Sequence, residues 1–512
     1  MLRKIFTLFI FIGLMPGFGT TVAAQETYDV HIRGGLVIDG TGEKAYEADI
    51  LIKADSITFI GKLDEKTVNT VKIIDATGKI ISPGFIDMHA HGNPLSTPEF
   101  QNFLAMGVTA IVLGQDGSSP TGESLKEWFE RVEEVQTAVN IAALAGHGTI
   151  RRNSGLEKNT VVNERDLEAL EKQLKDNLDD GAFGLSLGLE YVPGLYAEAQ
   201  ELERLAKAVG AYDGIVMSHI RSEDDSRISA SLEELAGLGK YSKVHVSHLK
   251  VVYGKGADRA EEILHKLKNY QDNGIDITAD TYPYAASFTG IGIVFPNWAK
   301  TEEEWKHAMD ENPEILREYL TSKVAQRNGP EAILFGTGKY AGKTLKEAAA
   351  SEGVSAIDLL LKIGPRAASA AHFVMNVELQ DRITVVEEIM ISSDGSPTMR
   401  HPRGYGSFAK VINKYVVEQD RLPIEKAIYK MSGLPAKTLG ISDRGTLAVG
   451  NKADILIFNP NEVQDLATFE SPHELAKGFH WVIVNGKVAK ENDVFSEERN
   501  GRVLRKYSEL TK

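Results

Sequence analysis

Eight short apolar segments, each followed by an amphipathic helical pattern, run through the middle of the chain. Apolar runs of this length that end at polar or glycine residues indicate buried strands, and strands that alternate with helices build parallel sheets. The strand candidates are residues 80–86, 108–113, 141–145, 182–187, 215–218, 244–247, 275–279 and 389–392. Eight such units predict an α/β fold, a (β/α)8 TIM-type barrel.

The two ends of the chain instead show short stretches of alternating apolar and polar residues, broken by Gly-Asn and Asn-Gly turns. This pattern is typical of short antiparallel strands. We expect both ends to form one small β-sandwich domain, from residues 25–80 and 436–512, around a barrel at 81–435. The long interval between barrel strands seven and eight predicts an insert at about 285–343.

The first 24 residues have the features of a secretory signal peptide. Arg3 and Lys4 precede an apolar run at residues 5–14, and the small residues Val22 and Ala24 precede a predicted cleavage site before Gln25. The run is short for a membrane-spanning helix. We expect an exported protein, periplasmic or extracellular, with no stable membrane anchor after cleavage. The alternative is that the segment stays uncleaved as an anchor.

The charge and the absence of cysteine exclude several functions. The formal net charge is −15, which argues against nucleic acid as a partner, because a phosphate-binding surface needs clustered lysine and arginine. The chain has no cysteine, so disulfides, thiolate nucleophiles and cysteine-ligated zinc are excluded.

Metal-binding residue types recur where the predicted strands end. In a barrel, residues just past the carboxyl end of each strand face one cleft. In strand order they are His89 and His91, Asp116, His147, Glu190 with Tyr191, His219, His248 with Lys250, Asp280 with Tyr282, and Asp394. One histidine in a loop is more often a structural hydrogen-bonding group than a ligand. The joint pattern of His89, His91, His219, His248 and Asp394 instead predicts a metal site.

Nitrogen and oxygen ligands without thiolate suit zinc best, with manganese, iron or cobalt as alternatives. A divalent ion lowers the pKa of a water that it binds and polarises a carbonyl, so this ligand set indicates hydrolysis. A carboxylate beside that water can take its proton and pass it to the leaving nitrogen. Asp394 is the candidate for this catalytic role.

These residues resemble the amidohydrolase superfamily. The stretch "PGFIDMHAH" is similar to its HxH motif on strand one, and His219, His248 and Asp394 match its residues on strands five, six and eight. Within the superfamily the chain most resembles the N-acyl-D-amino-acid deacylases, or D-aminoacylases. Segments that carry this resemblance include "GHGTIRR", "GAFGLSLGLEYVPGLYA", "DITADTYPYAA" and "SSDGSPTMRHPRGYGSFAKVI".

The resemblance implies one or two zinc ions and a set of residues that bind the substrate carboxylate. The matching positions are Lys250, Tyr282 and Arg403, and Tyr191 is expected to line the substrate pocket. Many deacylases of this branch carry a metal-binding cysteine where this chain has Asp116, and Asp116 is expected to take over as a ligand or bridge. Glu190 is the rival bridging residue.

The resulting hypothesis is metal-dependent hydrolysis of an N-acyl-D-amino acid to a carboxylate and a D-amino acid. A dipeptidase or a cyclic-amide hydrolase on the same scaffold is the enzymatic alternative, so the expected partner is a small N-acylated amino acid or dipeptide. A non-catalytic exported binding protein is the third alternative.

Overall fold

The structure is a computed structural model that describes residues 27–63 and 68–506, so the predicted signal peptide at residues 1–24 lies outside the described residues. The strands, in chain order, are β1 (Thr27–Val37), β2 (Tyr46–Lys53), β3 (Ser56–Gly61), β4 (Asn69–Asp75), β5 (Ile80–Pro83), β6 (Phe85–Asp87), β7 (Val108–Leu113), β8 (Asn140–Ala143), β9 (Ala145–Gly146), β10 (Gly184–Gly188), β11 (Ile215–His219), β12 (Lys243–Val246), β13 (Ile277–Thr281), β14 (Ser287–Gly290), β15 (Ile333–Phe335), β16 (Ser369–His372), β17 (Ile389–Ile391), β18 (Ile455–Phe458), β19 (Phe479–Val484), β20 (Lys487–Glu491) and β21 (Val494–Phe495). The α-helices are α1 (Gln101–Ala105), α2 (Leu125–Val135), α3 (His147–Asn153), α4 (Glu164–Asp179), α5 (Ala199–Ala211), α6 (Ile228–Leu238), α7 (Ala257–Asp272), α8 (Glu302–Glu311), α9 (Pro313–Gln326), α10 (Leu345–Glu352), α11 (Ala356–Ile363), α12 (Val377–Thr384), α13 (Arg403–Lys410), α14 (Ile424–Met431) and α15 (Gly433–Leu439).

Each of the eight apolar segments contains a strand of one of two parallel sheets. One sheet has the order β6-β7-β8, and the other has the order β9-β10-β11-β12-β13-β17. Main-chain hydrogen bonds link the sheets at both edges. Phe183 N, next to β10, donates to Ala143 O of β8 at 2.9 Å on one side, and Asp394 N donates to His89 O at 2.9 Å on the other. Parallel pairing places the carboxyl ends of all these strands on one side of the protein.

Gly84 divides what the sequence indicates as one strand into two. β5 pairs with β1 and β18 in the terminal sheet, whereas β6 pairs with β7 in the parallel sheet. A Cβ at Gly84 would lie 2.1 Å from Oγ1 of Thr109, so a larger residue does not fit at this crossing. The predicted single strand at 80–86 is therefore wrong, because the chain changes sheet at this glycine.

The two ends of the chain build one nine-stranded sheet. Its order is β21-β20-β19-β18-β5-β1-β2-β3, and β4 pairs with β1 in parallel. Isoleucines from both ends, including Ile32, Ile50 and Ile455, are fully buried in its core. The sheet thus joins segments that are more than 370 residues apart in the chain, as the pairing of β5 with β18 shows.

The segment between β13 and β17 has a hydrophobic core and a sheet of its own. β14, β16 and β15 form an antiparallel sheet, and α8 to α11 pack around it. The core runs from Ile291 to Ala370 and includes Leu320 and Phe335. It continues past residue 343, where the sequence indicates the end of the insert, because β16 completes the small sheet.

The helices of the parallel unit are amphipathic. In α4 the buried residues are Leu167, Leu170, Leu174 and Leu178, a spacing that places them on one face. Among the residues that the structure describes, none of the helices combines the length and the apolar character needed to cross a membrane.

Candidate metal centre

The predicted ligands lie at the carboxyl ends of five parallel strands. His89 and His91 follow β6, Asp116 follows β7, His219 ends β11, His248 follows β12 and Asp394 follows β17. Since these ends lie on one side of the two sheets, the structure brings all six side chains together. It does so from segments that are up to about 300 residues apart in the chain.

A first group of possible ligands consists of His89, His91, Asp116 and Asp394, whose ligand atoms all lie within 4.8 Å of one another. His89 Nε2 lies 3.4 Å from Asp116 Oδ1. His91 Nε2 lies 3.5 Å from Asp116 Oδ2 and 3.2 Å from Asp394 Oδ1. These four side chains can therefore bind one ion through two nitrogens and two oxygens.

A second group consists of Asp116, His219 and His248. His219 Nδ1 and His248 Nε2 lie 2.9 Å apart, and Asp116 Oδ1 lies 3.8 Å from the first and 3.4 Å from the second. Asp116 thus belongs to both groups, in the position that a residue bridging two ions would occupy.

Glu190 belongs to neither of these groups. Its Oε2 lies 3.1 Å from His219 Nε2, the nitrogen that faces away from His248, and it forms a third group with His219 and Glu223. The arrangement favours Asp116 over Glu190 as the bridging residue.

Three of these residues have a left-handed backbone. The φ angles are 54° at Asp116, 40° at His248 and 46° at Asp394. Residues other than glycine seldom adopt this conformation, and such strained positions concentrate at functional sites. Each one follows a strand, so the turn redirects the chain and aims the side chain at the centre of the cluster.

The donor set fits a divalent ion such as zinc. It offers imidazole nitrogens and carboxylate oxygens, and no thiolate. Asp116 Oδ1 is buried and accepts no hydrogen bond from the described residues, although four histidines surround this carboxylate. A buried acceptor without a hydrogen bond carries a desolvation penalty, which coordination to a cation would remove.

Without metal, protons take the place of the cation at this cluster. Burial lowers the pKa of His91, but hydrogen bonds to Asp116 and Asp394 outweigh burial and raise this pKa to about 9. Burial and Lys250 lower the pKa of His248, but Asp394, Asp116 and Glu223 raise it to about 10. The carboxylates therefore create a field that attracts positive charge.

Two cavities adjoin the cluster. One of about 290 Å³ is lined by Lys250, Arg403 and Arg327, among other residues, and the second has a volume of about 690 Å³. His91, Asp116 and Tyr191 line both cavities. Both spaces thus open at the cluster.

The sequence model described as "Amidohydrolase family" matches residues 72–351 and 388–489. An N-acyl-D-glutamate deacylase from Alcaligenes xylosoxydans xylosoxydans is 32% identical, over 94% of this chain and 97% of the relative. The chain belongs to the amidohydrolase family, in its N-acyl-D-amino-acid deacylase branch. The resemblance noted from the motifs is thereby confirmed.

Solved structures of two deacylases share the fold of this amidohydrolase. The N-acyl-D-glutamate deacylase from Bordetella bronchiseptica, complexed with zinc and a phosphonate inhibitor that mimics the tetrahedral intermediate, has a TM-score of 0.82 at 28% identity, covering 94% of this chain and 100% of that chain. A D-aminoacylase with a binuclear metal centre has a TM-score of 0.81 at 29% identity, covering 93% and 100%. The predicted α/β fold is confirmed by these matches.

Lys250 of this amidohydrolase points at the cluster, but its ammonium group is already engaged. Nζ donates to Glu223 Oε1 at 2.6 Å and lies 2.8 Å from His248 Nδ1. Burial lowers the pKa of Lys250, but the Glu223 carboxylate outweighs burial and holds this pKa above its usual value. Lys250 is therefore a buried cation that helps to hold His248.

Arg403 and Tyr282 are buried next to Asp394. Arg403 Nη1 lies 2.9 Å from Asp394 Oδ2, and the guanidinium carbon lies 4.7 Å from the centre of the Tyr282 ring. The Arg403 side chain is 2% exposed, so the arginine that the sequence places in a loop is in fact a buried ion-pair partner. Tyr191 packs its ring 4.5 Å from the ring of His219, between the two cavities.

Sequence reasoning missed Glu223 and Arg327, which support the site, and it named Asp280 at a strand end without giving it a role. Glu223 faces both Lys250 and His248, and its only signal in the sequence is the spacing of four residues from His219. Asp280 accepts a hydrogen bond from the main-chain N of His248 at 2.8 Å and pairs with His245 at 2.6 Å. Arg327 reaches the smaller cavity from the insert, which no strand-end pattern identifies.

Proposed function

We propose that the protein is a zinc-dependent hydrolase that deacylates N-acyl-D-amino acids to a carboxylate and a D-amino acid. The observation that carries this proposal is the pair of ligand groups that share Asp116 beside Asp394. The 32% identity to an N-acyl-D-glutamate deacylase supports the choice of substrate class. A cluster of this kind at the end of parallel strands is also where enzymes of barrel architecture bind substrates.

We also propose how the domains around this site are arranged. We infer that the two parallel sheets form one closed (β/α)8 barrel at residues 81–435, which the hydrogen bonds at both sheet edges support. The nine-stranded sheet then corresponds to the β-sandwich domain, built from residues 25–80 and 436–512. The insert extends from β14 to β16, further than 285–343, because its core ends at Ala370.

His89, His91, Asp116 and Asp394 would hold one ion, and Asp116, His219 and His248 a second. When bound, zinc lowers the pKa of water towards neutrality and polarises the scissile carbonyl. Glu190 is then a neighbour of His219 rather than the bridge.

Asp394 takes the proton of the attacking water and delivers it to the leaving nitrogen. It is suited to this role because the carboxylate stays ionised. Burial raises the pKa of Asp394, but Arg403 and His248 outweigh burial and hold the pKa well below its usual range. General acid–base catalysis of this kind contributes about 10²–10⁴-fold in rate.

Residues of the smaller cavity bind the carboxylate of the substrate. Lys250 and Arg403 line this cavity, and the buried Tyr282 packs against both, with Lys250 Nζ 5.7 Å and the Arg403 guanidinium 4.7 Å from the centre of its ring. Charge-assisted hydrogen bonds from such groups orient an α-carboxylate. Tyr191 lines the same cavity and contributes to the substrate pocket.

We further propose that the protein is exported to the periplasm or the extracellular space. The support is the pattern of Arg3 and Lys4 before an apolar run and a small-residue cleavage site, within residues 1–24. Cleavage there would remove the apolar run and with it any stable membrane anchor.

Metal analysis of the purified protein, combined with a panel of N-acetyl-D-amino acids, their L-enantiomers, dipeptides and cyclic amides, tests the function. We expect one or two zinc ions per chain and turnover of the N-acetyl-D-amino acids. Preferential turnover of dipeptides without a D-amino acid, or of cyclic amides, would replace the proposal by the corresponding alternative. Ligand binding without any hydrolysis, even with zinc added, would indicate a binding protein.

A further inference from the structure

The larger cavity, of about 690 Å³, adjoins the metal cluster, as does the smaller cavity that Lys250 and Arg403 line. Within residues 27–63 and 68–506, only His91, Asp116 and Tyr191 line both spaces. Loops after β6, β7 and β10 form its walls, together with α2 and α3. It is thus a distinct space that opens directly at the ligands of the first group.

The cluster fixes which half of the substrate enters each cavity. The scissile carbonyl must lie at the metal ligands, so the two halves of the molecule extend in different directions from it. Lys250 and Arg403, to which the proposed function assigns the α-carboxylate, line the smaller cavity and not the larger one. With the amino-acid half in the smaller cavity, the larger one, which opens at the same ligands, receives the acyl half.

We propose that the acyl half of the preferred substrate is a bulky, polar group of peptide size rather than acetyl. This inference rests on the proposed deacylase function and names its substrate more closely. Cavities of about 300–1,000 Å³ typically enclose whole drug-sized ligands, whereas an acetyl group has only a methyl beyond the carbonyl. A methyl group would leave most of the larger cavity to solvent and gain little binding from it.

The lining of the larger cavity favours a polar acyl group. Arg152 donates to Thr149 Oγ1 at 3.2 Å, and no carboxylate of the described residues lies within ion-pair distance of its guanidinium. Arg131, which also lines this cavity, is instead paired with Glu123 at 2.8 Å. Arg152 therefore has donors available for the amide carbonyls of a peptide.

Apolar side chains alternate with these polar groups around the larger cavity. Leu95 and Val192 line it together with Ser118 and Thr121. Ser118, Thr121 and Arg152 are exposed on this wall, so a peptidyl chain can exchange their water contacts for hydrogen bonds, which a purely apolar acyl chain cannot do. The expected reaction therefore hydrolyses the amide bond between a short peptidyl group and a C-terminal D-amino acid. The hydroxyl of water joins the acyl carbon and a proton joins the leaving nitrogen.

A series with one D-amino acid and varied acyl groups tests the inference on the zinc-loaded enzyme. The acyl groups are acetyl, acetylglycyl, acetylglycylglycyl and hexanoyl. We expect kcat/KM to rise by about tenfold or more from acetyl to acetylglycylglycyl, because binding away from the reacting bond promotes catalysis. Equal or higher kcat/KM for acetyl would overturn the proposal, as would a preference for hexanoyl over the peptidyl groups.

Narrowing the larger cavity provides an independent test. Ser118→Trp and Val192→Trp each add a large ring to its wall. We expect the ratio of kcat/KM for acetylglycylglycyl over acetyl to fall by about tenfold in each, the scale of a lost side-chain contact. Val161→Trp is the matched control, because Val161 is 79% exposed and lies outside both cavities. An unchanged ratio in both cavity variants would show that the acyl group binds elsewhere.

Binding of the acyl product separates this inference from the proposed function. By titration calorimetry, acetylglycylglycine should bind the zinc-loaded protein more tightly than acetate. The substitution Ser118→Trp should weaken the binding of acetylglycylglycine. This result in a protein that hydrolyses no N-acyl-D-amino acid would keep the cavity assignment and reject the deacylase function. Hydrolysis without any preference among acyl groups would keep the deacylase function and reject the cavity assignment.

Discussion

Arg403 Nη1 lies 2.9 Å from Oδ2 of Asp394, although the sequence places the arginine in a loop nine residues later. The other oxygen, Oδ1, faces His91 at 3.2 Å. Each oxygen of the candidate base thus has a defined neighbour, one an arginine and the other a metal ligand. Buried charges require partners of this kind, so the guanidinium both neutralises the carboxylate and fixes its orientation.

Asp394→Asn should abolish most of the turnover while the protein keeps its fold. The amide has a similar shape but cannot take a proton from water, so we expect kcat to fall by at least about 10²–10⁴-fold. Steady-state kinetics with an N-acyl-D-amino acid and metal analysis by mass spectrometry measure the two effects. Turnover close to that of the unmodified enzyme, with zinc retained, would rule out Asp394 as the base.

Asp116→Ala should lower the zinc content of the purified protein. Asp116 is the residue common to both ligand groups, so its loss removes an oxygen donor from each. Glu190→Gln is the matched control, because Glu190 contacts only His219 among the predicted ligands. If Glu190→Gln loses zinc and Asp116→Ala does not, the bridge is Glu190.

The ligands at the strand ends could be predicted from the sequence because each is marked by a local pattern. An apolar run, a polar residue type and the geometry of parallel strands suffice to place His89, His219 and Asp394 together. The division of one apolar run at Gly84 could not be predicted in this way. It depends on Thr109, which approaches the glycine from a neighbouring strand.

Residues that act through long-range contacts also escaped prediction. His245 belongs to no predicted ligand set, yet it pairs with Asp280, and Asp280 in turn holds the main chain of His248. The extent of the insert could not be predicted either, because its core joins helices and strands that share no local sequence pattern. Such roles follow from tertiary packing and not from the periodicity of one segment.

Glu223→Gln should weaken both zinc binding and stability. Glu223 Oε1 lies 2.6 Å from Lys250 Nζ and 3.1 Å from His248 Nδ1, so the carboxylate holds a buried cation and a ligand. Loss of such a supporting contact typically lowers metal affinity by about 10–100-fold. An uncompensated buried charge typically lowers the free energy of unfolding by about 3–5 kcal/mol. Competition with a zinc chelator and urea denaturation measure these quantities.

Asp176→Asn is the matched control for the stability effect of Glu223→Gln. The Lys172–Asp176 pair has a similar distance, 2.7 Å, but its side chains are 75% and 57% exposed. Exposed pairs of this kind contribute at most about 1 kcal/mol. Equal effects of the two substitutions would show that Glu223 has no special supporting role.

Zinc binding should release protons, because the metal-free cluster holds protonated histidines. The pKa is about 9 for His91 and about 10 for His248, so both imidazoles are charged at pH 7.5. A histidine must be neutral to bind metal, and we therefore expect about two protons released when both sites fill. Calorimetric titration of chelator-treated protein in buffers of different ionisation enthalpy gives this number. His480 lies next to Glu462 and away from the cluster, so the control His480→Gln should leave the number of released protons unchanged.

The same two pKa values fix the sign of the pH dependence. Both are raised above the value of an unfolded histidine, about 6.5, so their stabilisation of the metal-free protein is complete below that pH. It is lost as the pH rises through 9 and then 10. Chelator-treated protein should therefore lose stability to urea between pH 7 and 10. The zinc-loaded protein should gain metal affinity over that range, because fewer protons compete for the ligands. Metal-free stability that rises from pH 7 to 10 would contradict the protonated cluster.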